Sequence, residues 1–381
     1  MPRQPRDPER VTIREIARTC GVSVQTVSRV INRRPDVAPG TRAAVEAAIA
    51  AAGFQPSAVA RSLVQRRSYT LGIIAAGLRY FGVAQTLNGI TEESEGVGYA
   101  LLLKEVPSSG AVDVLSVIEF LMAHRVEGII VAAPDLGEAD VRRQLPPATP
   151  PIVFLKSEPS PAFSTILIDN YGGARQATGH LIALGRTRIA HLAGPLEWHE
   201  ARDRKQGWRD ALRDAGLDPG ATAAGNWSAE SGAEEMARLL DQAPDLDAVF
   251  VANDQMALAA MAVLHERGID VPGRVAVVGF DGLEEGAYFT PSLTTIRQPL
   301  RELGQLAVRE VLAAVNGPSG RSPVHALTLA TELVVRASAP APGTVPSTLV
   351  APNAPATAAI GTPAAASSTT SLQVGPPGLP A

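Results

Sequence analysis

The sequence predicts an α/β protein in two parts, a three-helix headpiece carrying a helix-turn-helix and a two-lobed body of parallel sheets. Residues 11–32, VTIREIARTCGVSVQTVSRVIN, hold two short amphipathic segments joined at a glycine. From Tyr69 onward, short apolar runs alternate with helical periodicity, the pattern of a doubly wound fold. Charge divides at the same place. Residues 1–68 hold 12 Arg, no Lys and 5 acidic residues, a balance of +7, while the remainder carries −11 within a net −4. A small basic head on a larger acidic body points to nucleic acid as the partner of the head.

In chain order, residues 1–10 form a Pro/Arg-rich arm expected to be flexible, and residues 11–56 form the headpiece. Thr12 and Glu15 make a capping box, so a helix starts near Ile13. Ile13, Ile16, Ala17 and Cys20 then share one apolar face. Gly21 breaks that helix, and Ser23 caps a second one running to about Asn32. Val27, Val30 and Ile31 turn inward, leaving Val24, Gln25, Ser28, Arg29 and Asn32 facing out. Gln25 suits adenine, Arg29 guanine, and Val24 a thymine methyl group. Ser23, Thr26 and Asn32 suit phosphates, which set position and not sequence. Thr12, and Thr41 near the start of a third helix that opens at Pro39, complete the headpiece contacts expected with DNA.

Residues 57–68 read as a hinge helix and linker. Ser57 is a capable N-cap, and Val59, Ala60 and Leu63 lie on a helix of less than two turns, too short to persist undocked. The stretch from 69 to 338 exceeds one core, which implies two lobes and a cleft. Strands are expected at Leu71–Ala75, Tyr99–Leu103, Gly128–Ala132, Ile152–Leu155, Ile166–Ile168, Ile189–Leu192, Ala248–Val251 and Val275–Phe280. Helices are expected at Gly172–Leu184, Arg202–Ala215, Ser231–Leu240 and Gln255–Arg267. Residues 339–381 are rich in Ala and Pro and read as a disordered tail.

Ligands in such folds bind at the carboxyl ends of strands. Asn253 and Asp281 stand there, Arg202 lies in a loop after Leu192, and Trp198 and Trp227 offer flat faces. That mixture suits a polyhydroxylated ligand. Trp208, Asp254 and Ser231 read instead as a core residue and two helix caps.

Other chemistry is not indicated. Cys20 stands alone, so neither an intrachain disulfide nor a cysteine-built zinc site follows. The six His are scattered, and neither a Walker A sequence nor a GxSxG elbow occurs. No metal, no cofactor and no enzymatic reaction are expected. Neither a signal peptide nor an 18-residue apolar run is present, so a cytoplasmic protein without a membrane partner is expected.

GVSVQTVSRVIN, PSAVARSL, HLAGPLEWHEARDR, VFVANDQMALAAM, VAVVGFD and TPSLTTIRQP together resemble the lactose-repressor family of bacterial transcription regulators. The resemblance spans 11–336. It implies a periplasmic-binding-protein-like body in a homodimer on a pseudo-palindromic operator, with Leu63 wedged into the minor groove. It also implies a sugar-like effector at Arg202, Trp227, Asn253, Asp281 and Gln298, switching operator affinity. Lys156 and Ala132 depart from the family's carboxylate and amide, and Glu197 and Trp198 from two serines. Lys156 would favour an anionic sugar. Without leucine heptads in the tail, a dimer and not a tetramer is expected. The competing reading is a sugar receptor of the transport type, which shares the body but has no use for a basic headpiece.

Overall fold

Thr12 and Glu15 cap each other at the start of the chain's first helix. The Thr12 hydroxyl accepts from the Glu15 amide, and the Glu15 carboxylate accepts from the Thr12 amide at 2.6 Å. The computed structural model describes residues 11–31, 34–54, 67–107, 113–133, 142–156, 158–317 and 324–343. Helix α1 spans Ile13–Thr19, α2 Val24–Ile31 and α3 Pro39–Ala51. Gly21, at φ +64°, makes the turn between the first two at no Cβ cost. Ile16, Ala17, Val27, Val30, Val37 and Val45 form the small buried core, with Cys20 packed against it.

Described next in the chain is Arg67, which ties it to the body. Its guanidinium donates to Glu127 Oε2 at 2.8 and 3.1 Å, to the Tyr99 hydroxyl at 2.7 Å and to Asn316 Oδ1 at 3.2 Å. Glu127 Oε1 accepts from the Tyr69 amide at 2.9 Å, closing the clamp. The expected arm, the hinge residues 57–66 and residues 344–381 lie outside the described residues.

The first lobe contains β1 (Thr70–Ala76), α4 (Phe81–Gly96), β2 (Ala100–Val106), α5 (Val114–Ala123), β3 (Gly128–Ala132), β4 (Ile152–Lys156) and β5 (Ser164–Ile168). The second contains α6 (Asn170–Ala183), β6 (Ile189–Ala193), α7 (His199–Asp214), β7 (Thr222–Ala224), α8 (Ala229–Gln242), β8 (Ala248–Val251), α9 (Asp254–Glu266), β9 (Ala276–Asp281) and β10 (Thr294–Arg297). The chain then returns through α10 (Leu300–Asn316) and β11 (Ala326–Leu329) to the first lobe and ends in β12 (Glu332–Val334) of the second. Strand order is β11-β5-β4-β3-β1-β2 in one sheet and β12-β10-β9-β8-β6-β7 in the other. All pairings are parallel except β12 with β10. Helices cover both faces, so the central strands are buried throughout. Ile74 and Ile129 face one core of the first lobe, while Ile73 and Ile130 face the other.

The expected strands and helices form, with ends shifted by a few residues. Two small corrections follow. Ser228, not Ser231, caps α8, and Asn253, not Asp254, caps α9. The packed body also continues past its expected end. Ser338 and Ala339 are fully buried, and the Ala339 carbonyl accepts from His180 and from the Thr294 hydroxyl. Small side chains there let this turn lie close against β9 and β10.

Helices α4 and α10 touch through glycines. A Cβ on Gly89 would lie 2.0 Å from the Arg301 carbonyl oxygen, and one on Gly304 would lie 2.1 Å from that of Thr86. The two backbones therefore pack as a single unit.

Candidate effector cavity and nucleic-acid face

The three passages of the chain between lobes leave a cavity of about 150 Å³, reached by the carboxyl ends of strands from both sheets. From the first lobe come Leu155 and Ala132 at strand ends, with Tyr80, Phe81 and Thr86 from the start of α4. From the second come Trp198, Glu200, Arg204, Trp227, Asn253 and Asp281, and the crossings add Asn170 and Gln298.

Asp281 ends β9 with φ +118°, and Trp227 sits at φ +73°. Neither residue is glycine, so each carries backbone strain of about 1–3 kcal/mol, which persists only where the surroundings over-determine it. Asp281 Oδ1 accepts from Gln298 Nε2 at 2.7 Å and from Arg204 Nη1 at 3.4 Å. Arg204 also donates from Nε to Asn170 Oδ1 at 2.9 Å and lies 3.9 Å over the Phe280 ring. Asn253 uses its oxygen to accept from the Met256 amide and its nitrogen to donate to the Trp227 carbonyl, each at 3.0 Å. It thus pins the strained tryptophan to the start of α9. Tyr80, Trp198 and Trp227 form an aromatic wall by edge-on contacts at 5.5 and 6.2 Å.

Burial pushes the Asp281 carboxyl up to about 6, against the opposing pull of Arg204 and Gln298. Behind it Asp254 is pushed up to about 8, by burial first and by Asp281 second. The site is a buried, charged floor under aromatic walls, a setting in which hydrogen bonds to hydroxyl groups count heavily.

In the headpiece, α2 buries Val27 and Val30 and turns Val24, Gln25 and Arg29 to the opposite side, where all three are exposed. Ser28 is half-buried. Ser23 Oγ accepts from the Thr26 amide at 3.0 Å and shares a hydrogen bond with the Thr26 hydroxyl. Arg29 stands 3.7 Å from Asp36 in an exposed ion pair. Thr41, in the first turn of α3, is half-buried.

Residues 12–57 match the family described as bacterial regulatory proteins, lacI family, and residues 178–339 match the periplasmic binding protein-like domain. The lactose operon repressor of Escherichia coli (strain K12) is 34% identical over 307 residues, covering 81% of this chain and 85% of that protein. The chain belongs to the lacI family.

Members of the lacI family with similar sequences include the transcriptional regulator CelR of Thermobifida fusca, 34% identical over 86% of this chain and 98% of that one. Among solved structures, the lac repressor dimer bound to operator and the anti-inducer ONPF superposes with a TM-score of 0.78. It is 33% identical, covering 87% of this chain and all of that one. The CelR–cellobiose complex superposes with a TM-score of 0.64 at 33% identity, covering 86% of this chain and all of that one. The present lacI-family chain is accordingly a DNA-binding transcriptional regulator.

Of the residues expected around an effector, Trp198, Trp227, Asn253, Asp281 and Gln298 line one cavity. Arg202 does not. It is exposed and donates to the carbonyls of Leu196 and Glu197. Two residues along a helix rotate a side chain by about 200°, so Arg204 and not Arg202 faces inward. Lys156 ends β4 beside the cavity-lining Leu155, but its side chain lies outside the described residues, as do Asn32, Ser57, Val59, Ala60 and Leu63. Trp208 is core, with 1% of its surface exposed. Glu200, Arg204, Asn170, Tyr80 and Phe81 were not anticipated. For Arg204 a signal existed: it falls on the face of α7 shared by Ala201, Gly207, Trp208 and Ala211, where an unpaired cation would not be tolerated. No helix among the described residues is long and apolar enough to cross a membrane, and no cluster of metal-ligating side chains occurs among them.

Proposed function

We propose that this regulator is a repressor of carbohydrate-use genes, acting in the cytoplasm as a homodimer on a pseudo-palindromic operator. A small sugar-like effector in the interlobe cavity switches its operator affinity. The observation that carries the reading is the Arg204–Asp281–Gln298 floor beneath the Tyr80–Trp198–Trp227 wall. A buried charge pair with matched donors and acceptors suits ring hydroxyls, and the indoles suit the apolar face of a sugar. Two family relatives support it, one solved on operator as a dimer with a small ligand and one with cellobiose.

In this reading Val24, Gln25 and Arg29 read bases, while Thr12, Ser23, Thr26, Ser28 and Thr41 hold phosphates. Asn32 and the hinge residues Ser57, Val59, Ala60 and Leu63 extend that interface. Asn253, Asp281, Gln298, Trp198, Trp227 and Lys156 contact the effector, with Arg204 in the place first expected for Arg202. The protein binds its ligand without turning it over.

Selection of preferred sites from random DNA, repeated with Arg29→Ala, tests the DNA half. The substitution should cost about 1–3 kcal/mol and relax one base pair in each half-site. A uniform loss on all sequences would make Arg29 a phosphate contact. Loss of the binding energy of a sugar on Asp281→Ala, read by calorimetry, tests the cavity half.

A further inference from the structure

We infer that Tyr80 and Trp198 set the size of the effector: they close the cavity behind a single sugar ring, so that monosaccharides are accepted and disaccharides excluded. The inference rests on the sugar-binding reading above and narrows its ligand class.

Strand order places the two rings. The strands next to the crossings are β11 and β5 in the first lobe and β12 and β10 in the second, one edge of each sheet. Tyr80 follows β1 and Trp198 follows β6, each the fifth strand counted from that edge. The crossings thus bound one side of the cavity, and the two rings bound the other. There the lobes touch, ring centroid to ring centroid at 5.5 Å and edge to face at 90°. Both rings are half-buried, whereas Trp227, Asn253 and Asp281 behind them are buried.

Neither ring serves its own helix. Tyr80 is the N-cap of α4 and Trp198 that of α7, and neither makes a side-chain capping hydrogen bond. Ser, Thr, Asp or Asn at these positions would stabilise each helix. Two facing helices therefore give up a cap for an aromatic side chain, and the backbone is shaped to seat it. Gly77, at φ +69°, lies under both rings: a Cβ on it would strike Tyr80 and would lie 3.7 Å from the Trp198 ring. Arg79 holds Tyr80 in place, donating to its hydroxyl at 2.8 Å. Trp198 leans in turn on Trp227, at 6.2 Å and 81°. The next residue, His199, comes within 3.8 Å of Glu158 in the first lobe, a second bridge beside the first.

The space behind the rings is one sugar deep. A cavity of about 150 Å³ matches one known to hold a benzene ring, so a single six-membered ring fills it. With the crossings on the far side, a second sugar joined to the first has to lie where Tyr80 and Trp198 touch. It binds only by parting them.

Calorimetry on the full chain tests this, with glucose and galactose set against cellobiose, maltose, lactose and melibiose. At least one monosaccharide should bind at least tenfold more tightly than the disaccharides that contain it. Trp198→Ala and Tyr80→Ala should each remove the obstruction and narrow that ratio at least tenfold. Trp198→Phe, which keeps a ring at the seam, should preserve it. Disaccharide binding gained only in the alanine variants supports the inference as well. A ring that merely touched the ligand would, once removed, weaken both sizes of sugar alike. An unchanged ratio in both alanine variants would therefore overturn the inference. So would a disaccharide that binds the wild-type protein as tightly as its parent monosaccharide, a result that leaves the sugar reading standing. Silence of the wild type and both alanine variants across the panel would remove the sugar reading and this inference with it. Should neither alanine variant fold, the wild-type ratios decide.

Discussion

Arg204 and Asp281 meet in the cavity floor with Nη1 and Oδ1 3.4 Å apart and only 4% and 9% of their surfaces exposed. Neither charge is fully compensated by the other, because burial still holds the Asp281 carboxyl at about 6. Arg204→Met should therefore cost about 3–5 kcal/mol, by leaving the carboxylate to Gln298 alone. Asp281→Asn added to it should restore part of that loss. Urea unfolding of the two single variants and the double gives the coupling directly. Strict additivity would show that the pair is an accident of proximity.

His191 should set the acid limit of stability. Its Nδ1 donates to the Phe250 carbonyl at 2.9 Å, its Nε2 is buried without a partner among the described residues, and its ring stacks against Trp208 and Phe250. Burial pulls its pKa from 6.5 down to about 3. The folded state thus binds fewer protons than the unfolded chain. The associated stability is complete above about pH 6.5 and is lost as pH falls toward 3. Between pH 6.5 and 5 the loss is about 2 kcal/mol. His191→Phe should flatten that limb in urea midpoints measured across this range.

Asp254 should act in the opposite direction. Its Oδ1 accepts from the Thr295 hydroxyl at 2.6 Å and its Oδ2 from the Leu283 amide at 2.7 Å. With its pKa raised to about 8, the folded state holds a proton that the unfolded chain releases near pH 4. The contribution is complete below that value and declines as pH rises through 8, coupled to Asp281. Asp254→Asn should lose less stability than wild type between pH 5 and 9. Parallel profiles would mean that the carboxylate is ionised throughout.

Much of this architecture was legible because a strand buried on both faces is an unbroken apolar run. Ile73-Ile74 and Val277-Val278 need no context to be recognised. Strands β7, β10, β11 and β12, with Thr222, Thr294, Thr328 and Glu332, are short and half polar, and only their neighbours make them strands. At the cavity, residues at strand ends were foreseeable from topology. Arg204 is separable from Arg202 only by helical phase, which Ala201, Gly207, Trp208 and Ala211 set and the charged residues between them obscure. Glu200 was hidden for the same reason. The strain at Trp227 has no sequence signature, since tryptophan does not favour positive φ.

Gly304→Ala and Gly89→Ala should each destabilise by about 1–3 kcal/mol, the usual effect of forcing extra volume between close-packed elements. Both methyl groups would push the same two helices apart, so the double variant should cost less than the sum. Thermal or urea unfolding of the three variants checks this. Full additivity would place the two contacts in independent regions.

The same helices have a mechanical consequence. Helices α4 and α10 both begin at the cavity wall, through Phe81, Thr86, Leu300 and Leu303. Helix α10 ends at Asn316 and α4 just before Tyr99, both of which hold Arg67. Seventeen residues of helix make a strut about 25 Å long. Closely packed interiors compress little, so a small shift imposed at one end arrives at the other undiminished. A ligand that displaced this wall would be expected to move Arg67, as a pushrod does. A substitution that softened the strut would leave ligand binding and DNA binding each intact and silence the conversation between them.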